Sequence, residues 1–386
     1  MTALLVIIYI AFISLGLPDS ILGSAWPVIR LDLSAPVSLV GYITMVVSAG
    51  TVTSSLLSNS LVSRFGTAKV TVVSVAMTAV ALLGYSFVGS VAFLFLLAVP
   101  LGLGAGSVDA ALNNFVALHY QSRHMNWLHC FWGVGATAGP MIMSLFLANP
   151  GGWRSGYLVI AALQFALVIV LLTTMKLWNG KDVLVSPEQS QEELITNRKA
   201  LQIPNVKLAL VGFAFFSVTE VTTGLWSSSY LVGVEGMTAS VAARWTAAFY
   251  GGITVGRLFS GFLSIKMKNS TLIRNGQLVC VLGALLLLLP LPASLSALGI
   301  VFIGLGTAPI FPSMLHETPN RFGSVASGAI MGLQMAFAYM GGTFGSPLFG
   351  AMASVTSLRL LPYFLLMSIV IMLVASELLN RRLSHL

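Results

Sequence analysis

Three carboxylic acids stand deep inside apolar stretches of this 386-residue chain: Asp19, Asp109 and Glu220. An ionisable side chain in such surroundings is costly, so each is a candidate for binding or proton chemistry. Asp19 follows Pro18, whose ring removes a backbone donor and loosens a helix locally. A carboxyl at such a break can bind a hydroxyl or take up a proton, because its neutral form is cheaper to desolvate. The competing reading is that Asp19 and Ser20 only satisfy backbone groups freed by the proline. Asp109 lies one helical turn before Asn113, with Asn114 beside it, so acid and amide share a face. That pair suits a polyhydroxylated ligand held together with a proton; an interhelical hydrogen-bond network is its bland counterpart. Glu220, Thr223, Gly224 and Ser227 repeat at helical spacing and make a polar stripe.

Neutral groups can complete such a site. Trp132 and Trp226 fall deep in apolar runs, where an indole can stack on a sugar ring and donate its N–H; core packing is the equal alternative. Gln334 is a hydrogen-bonding candidate of the same kind. Trp26, Trp127, Trp153, Trp178 and Trp245 sit near segment ends, where tryptophan anchors at the lipid–water interface. Arg257, placed about two turns from a segment end, reads as a conformational latch. Its depth favours Glu317 or Glu377 over Glu220 as partner. His119, His124 and His129, with Cys130, lack metal-ligand spacing, and a GK[ST] phosphate loop is absent. No metal or cofactor is therefore expected, nor an ATP-driven engine.

These residues need helices in lipid to position them. The chain is 57% hydrophobic and only 8% charged, against about 25% charged in soluble domains. That excludes a soluble enzyme and a nucleic-acid-binding module, despite the net charge of +8. A spanning helix takes about 20 apolar residues. Cutting at charged or turn-rich gaps predicts twelve spans: 2–28, 36–62, 67–89, 91–118, 126–149, 154–178, 205–232, 238–263, 271–290, 292–316, 324–350 and 354–380. The first apolar run is too long for a signal-peptide core and reads as a retained span. Ten-residue alternation is missing, so a β-barrel is excluded. Lys and Arg crowd one set of loops and the C-terminus, which places both termini in the cytoplasm.

The polar stretch 179–204 divides the chain into a bundle over 1–178 and a second over 205–386. The halves resemble each other. Gly102-Leu103-Gly104 recurs as Gly304-Leu305-Gly306 (304 − 102 = 202), Asp19 and Gly23 as Glu220 and Gly224 (220 − 19 = 201), Gly135 and Gly139 as Gly341 and Gly345 (341 − 135 = 206). An even number of helices per copy makes a parallel repeat: an all-α fold of two six-helix units around a central cavity.

On these features the chain resembles the major facilitator superfamily, in particular its fucose-permease-like branch of proton-coupled sugar symporters. The resemblance rests on Gly16-Leu17-Pro18-Asp19-Ser20, Leu22-Gly23 and Trp26-Pro27, then Gly252, Gly256-Arg257 and Gly261. Ala308-Pro309-Ile310-Phe311-Pro312, Thr318-Pro319, Arg321-Phe322-Gly323, Gln334 and Gly341-Gly342 complete it. It implies that spans 1, 4, 7 and 10 line the cavity, and that the acids of spans 1 and 4 bind substrate and couple protons. Asp19 and Asp109 match those acids by span and depth. The family's Asn in span 5 is replaced by Trp132. In the loop between spans 2 and 3 the family's Gly and Asp fall on Asn59 and Ser63, leaving Arg64, Gly66 and Lys69. Any charged gate around Arg64 is weakened accordingly. Gly135-x-x-x-Gly139-Pro140 resembles a motif of drug–proton antiporters and keeps export open as a direction.

The expected protein is a non-enzymatic secondary transporter of the cell membrane, working by alternating access as a monomer. Its ligands are a small polar solute, such as a sugar, and protons. Asp19, Asp109, Asn113, Glu220, Trp132, Trp226 and Gln334 are the substrate candidates. Asp19 and Asp109 are the proton candidates, and Arg64, Arg257 and Glu317 the gating ones. The rivals are an exporter of drugs or lipids, and a membrane sensor that transports nothing.

Overall fold

Within lipid every backbone N–H and C=O needs an internal partner, so long apolar runs close into helices. The computed structural model describes residues 2–120, 122–149, 151–178 and 197–383, and among them there is no strand. The first half runs through α1 (Thr2–Asp19), α2 (Ile21–Asp32), α3 (Leu39–Phe65), α4 (Thr67–Ser86), α5 (Val91–His119), α6 (Ser122–Phe146) and α7 (Gly152–Thr173). After the single turn α8 (Asn197–Ala200) come α9 (Val206–Gly233), α10 (Ala239–Leu263), α11 (Asn269–Leu288), α12 (Ala293–Thr307) and α13 (Ile310–His316). Then follow α14 (Thr318–Phe322), α15 (Ser324–Val355) and α16 (Leu361–Leu383). Nine runs among the described residues are long and apolar enough to cross a membrane, with α1–α2 and α12–α13 each counted as one. The long helices α6, α10 and α15 bring the total to the twelve of the sequence reading.

Contacts divide the chain into two compact units, Met1–Val185 with Met237–Ala247 and Ser186–Gly236 with Ala248–Leu386. Residues 179–196 of the expected linker lie outside the described residues. In the first unit α3 packs on α5, α1 on α6, and α4 on both α5 and α7. In the second, α9 packs on α15 and α16, and α11 on α12 and α16.

Glycines set these contacts. A Cβ on Gly102 would strike the carbonyl oxygen of Val47, and one on Gly304 that of Phe249. Gly135 meets the carbonyl of Ile13 in the same way, and Gly341 that of Ala214. In both units, then, helices touch backbone to backbone at matching glycines, as small residues permit in lipid. Two further glycines act through conformation. Gly66 (φ 81°) and Gly323 (φ 82°) each join consecutive helices by a single residue in a region L side chains avoid. Both follow an Arg-Phe pair, Arg64-Phe65 and Arg321-Phe322.

Several boundaries move. Span 1 is broken at Ser20, just past Pro18, and α2 continues to Asp32 rather than ending at 28. Asp32 is held there by Arg154 Nη1 at 2.5 Å and Trp153 Nε1 at 3.2 Å. Span 10 is likewise interrupted between Thr307 and Ile310, at Pro309. The interfacial reading of the tryptophans is corrected for three of five. Trp26, Trp153 and Trp178 are buried inside the protein, whereas Trp127 is exposed. Trp26 Nε1 donates to the Val37 carbonyl and Trp178 packs against Phe115, so each indole has a protein environment that draws it inward.

Candidate functional site

The break in span 1 exposes one acid selectively. Ser14–Pro18 and Ser20–Pro27 are buried, yet Asp19 between them is exposed. Ser20 turns back, its hydroxyl donating to the Leu17 carbonyl at 3.5 Å. The carbonyl that Pro18 leaves without its helical donor is that of Ser14, and Gln164 Nε2 donates to it at 2.6 Å, so the proline-satisfying role falls to Gln164 and not to Asp19 or Ser20. Asp19 Oδ2 accepts a hydrogen bond from Trp132 Nε1 at 2.8 Å. That meeting follows from packing: Gly16, one turn earlier, lies against the Trp132 carbonyl, so α1 and α6 are in direct contact there. Indole is a donor only, so it supports the carboxylate without neutralising it.

Asp109 on α5 lies close enough to Asp19 for their charges to interact. Its Oδ1 accepts from Asn113 Nδ2 at 2.9 Å, and the same nitrogen reaches the Asp109 carbonyl at 3.0 Å. These bonds run along one helix, as the spacing anticipates. Both residues are half-buried, and Asn114 beside them is exposed. Among the described residues neither Asp19 nor Asp109 forms an ion pair. Each carboxyl has a neutral donor on one side and oxygen lone pairs left to accept a hydroxyl hydrogen bond or take up a proton.

In the second unit Glu220 meets a different environment. Arg257 Nη2 lies 3.8 Å from Glu220 Oε2, so Arg257 pairs with Glu220 and not with Glu317 or Glu377. The depth argument fails because a guanidinium on a long stem reaches well beyond its own Cα. Cys280 also sits within range of the Glu220 charge. The stripe around Glu220 is spent on its own helix: Thr223 donates to the Thr219 carbonyl and Ser227 to that of Thr223. Tyr250, passed over in the sequence, brings its hydroxyl against Gly224. The only advance signal was the glycine that leaves it room.

The remaining candidates are dispersed. Trp226 is fully buried, with Nε1 donating to the Ser346 carbonyl and hydroxyl oxygens, both at 3.1 Å. Gln334 is buried and accepts from Thr318 Oγ1 at 2.9 Å. Both are taken up in internal packing and hydrogen bonding. Glu317 lies 3.5 Å from Arg321 Nε and accepts from Asn269, while Glu377 takes two hydrogen bonds from Arg274. Burial lowers the pKa of the Arg321 guanidinium and Glu317 opposes that shift. Arg64 is exposed, lies 5.3 Å from the Phe65 ring and forms no ion pair among the described residues. His124 bonds Tyr9, His119 the Phe115 carbonyl, and His129 packs edge-on to Phe12.

Comparison with known proteins agrees with this helical plan. A curated relative, Bypass of stop codon protein 6 of Saccharomyces cerevisiae, is 27% identical over 187 residues, 43% of this chain and 37% of that protein. The chain thus spans well under half the length of that relative. Among solved structures, the nucleoside transporter NupG superposes with a TM-score of 0.79 at 12% identity, covering 98% of each chain. A bacterial homologue of the human lysosomal transporter Spinster, inward-facing and unoccupied, gives 0.79 at 12% identity over 98% of this chain and 96% of that one. A D-xylose–proton symporter gives 0.73 at 12% identity over 98% and 97%. At such identities these likenesses show the transporter fold. The family model for the Major Facilitator Superfamily matches residues 8–333, and with that match across most of its length the chain belongs to the Major Facilitator Superfamily.

Proposed function

We propose that the protein is a secondary active transporter that couples protons to the uptake of a sugar or similar small polar solute. One observation carries this reading: Asp19 is exposed within a buried stretch, held by the Trp132 indole and close to Asp109. The remaining carboxyl oxygens are acceptors for the hydroxyls of a polyol, and either carboxyl offers a place for the proton. Protonation removes a charge from a low-dielectric path, so it biases the exchange between conformations. The membrane potential supplies roughly 2.3 kcal/mol per charge per 100 mV. The family motifs around Pro18-Asp19 and Pro309 support the fucose-permease-like branch, and the D-xylose–proton symporter among the structural neighbours is in keeping with it. In this reading the protein is a monomer of the cell membrane with both termini cytoplasmic, and Arg257 and Glu317 serve as gating groups.

The test is uptake into proteoliposomes of labelled hexoses and deoxyhexoses, with and without a pH gradient and with sodium varied. Saturable, gradient-stimulated and sodium-independent accumulation of one sugar is the expected result. Silence across the panel with folded, reconstituted protein would overturn the sugar reading. Proton-driven export of an apolar compound would put the antiporter reading in its place.

A further inference from the structure

The second unit carries a cavity whose lining includes none of Asp19, Asp109 and Glu220. It has a volume of about 500 Å³ and opens where α13 ends, α11 begins and α16 ends. Ser270, Thr271, Arg274, Asn320, Arg321 and Asn380 line it, together with Glu317. Here the geometry points to a binding site for a phosphate group, presented by an anionic lipid headgroup or by free phosphate.

Arg274 is the exposed guanidinium of the site, with 52% of its side chain accessible. Its Nε and Nη2 hold Glu377 at 2.7 and 2.6 Å. A guanidinium has five N–H donors in a planar fork, so this pairing leaves Nη1 to reach a phosphate oxygen. Arg321 forms the deep wall, its side chain 9% accessible and fixed by Glu317 at 3.5 Å and the Asn380 oxygen at 2.8 Å. The opening turn of the 20-residue α11 adds the hydroxyls of Ser270 and Thr271 and the positive end of the helix dipole.

The charge balance favours an anion although two acids are present. Lys266, Lys268, Arg274, Arg321, Arg381 and Arg382 are six cations in the segments that build this end, against Glu317 and Glu377. Arg381 lies within range of the Glu377 charge. Basic clusters at helix ends attract anionic headgroups, and that attraction falls with salt.

The test uses the full chain in a neutral detergent. Binding is followed by melting-temperature shift and by competition with a fluorescent phosphatidylglycerol. The competitors are dioleoyl phosphatidylglycerol, dioleoyl phosphatidylcholine and inorganic phosphate. The expected result is salt-sensitive binding of phosphatidylglycerol over phosphatidylcholine. Arg274→Gln should weaken it about tenfold, the scale of one charge-assisted hydrogen bond. Glu377→Gln should strengthen it, because the guanidinium is released and an acid removed. The opposite signs of the two variants separate a binding role from a merely structural ion pair, whose loss would act alike in both. Competition by inorganic phosphate equal to that of the lipid assigns the site to free phosphate, and weak competition assigns it to the headgroup. Equal binding of both lipids without phosphate competition, or Arg274→Gln and Glu377→Gln shifting binding in the same direction, would overturn the proposal. None of these outcomes depends on sugar uptake.

Discussion

Asp19 and Glu220 occupy corresponding places in the two halves, yet the structure gives them opposite surroundings. Asp19 sits at a helix break, exposed, with an indole donor and a second carboxyl nearby. Glu220 sits in the unbroken α9, its side chain 18% accessible, facing Arg257 at 3.8 Å. The difference begins with one residue. Pro18 has its counterpart in Thr219, which keeps the helix intact and bonds its hydroxyl back to the Phe215 carbonyl. A repeat can therefore preserve the position of an acid while dividing its roles. One half keeps two acids that form no ion pair among the described residues, suited to ligand and proton; the other keeps an ion pair, suited to holding or releasing a conformation.

The sharpest way to break this division is Asp109→Asn. It should abolish pH-driven uptake while leaving substrate exchange measurable in proteoliposomes; full gradient-driven uptake would remove Asp109 from the coupling role. Asp19→Asn should cut substrate affinity by about tenfold or more, as loss of a charged hydrogen-bonding partner does. Equilibrium binding measured beside transport tells whether Asp19 serves ligand, proton or both. Gly102→Val and Gly304→Val probe the shared packing. Each should cost about 1–3 kcal/mol as overpacking against a backbone carbonyl, read as a lower melting temperature. Tolerance of one and not the other would show that the two interfaces differ in kind. For the ion pair, a double-mutant cycle of Glu220→Gln and Arg257→Gln should give a coupling of about 1 kcal/mol, whereas additive effects would mean no interaction worth the name. The smallest effect is expected for Trp132→Phe, which keeps the ring and loses the donor. A few-fold fall in apparent affinity is the outcome that fits the 2.8 Å bond to Asp19.

Much of the fold was legible from local pattern. Bilayer thickness sets a length for each apolar run, and glycine spacing marks where helices can touch. The duplicated Gly102 and Gly304 accordingly find carbonyls at Val47 and Phe249, themselves related by the same offset (249 − 47 = 202). Legibility stops where a side chain chooses among partners. Depth along the helix directs Arg257 to the acids at helix ends, but its stem carries the guanidinium to Glu220. Position alone puts Trp26, Trp153 and Trp178 at the interface, but acceptors at Val37 and Asp32 and the ring of Phe115 hold them inside. The hydroxyls of Thr223 and Ser227 lay on the right stripe and were taken by their own helix.

By itself the sequence determined that this chain lives in lipid, that it folds as helices in two related halves, and that three acids lie within them. Those properties follow from composition, run length and periodicity, which act residue by residue. Only the tertiary structure decided that Asp19 reaches Trp132, that Asp109 stands close to it, and that Glu220 faces a cation. Such pairings join residues more than 30 positions apart. They depend on which helices touch and how far each side chain extends, and neither is encoded in the spacing along one helix.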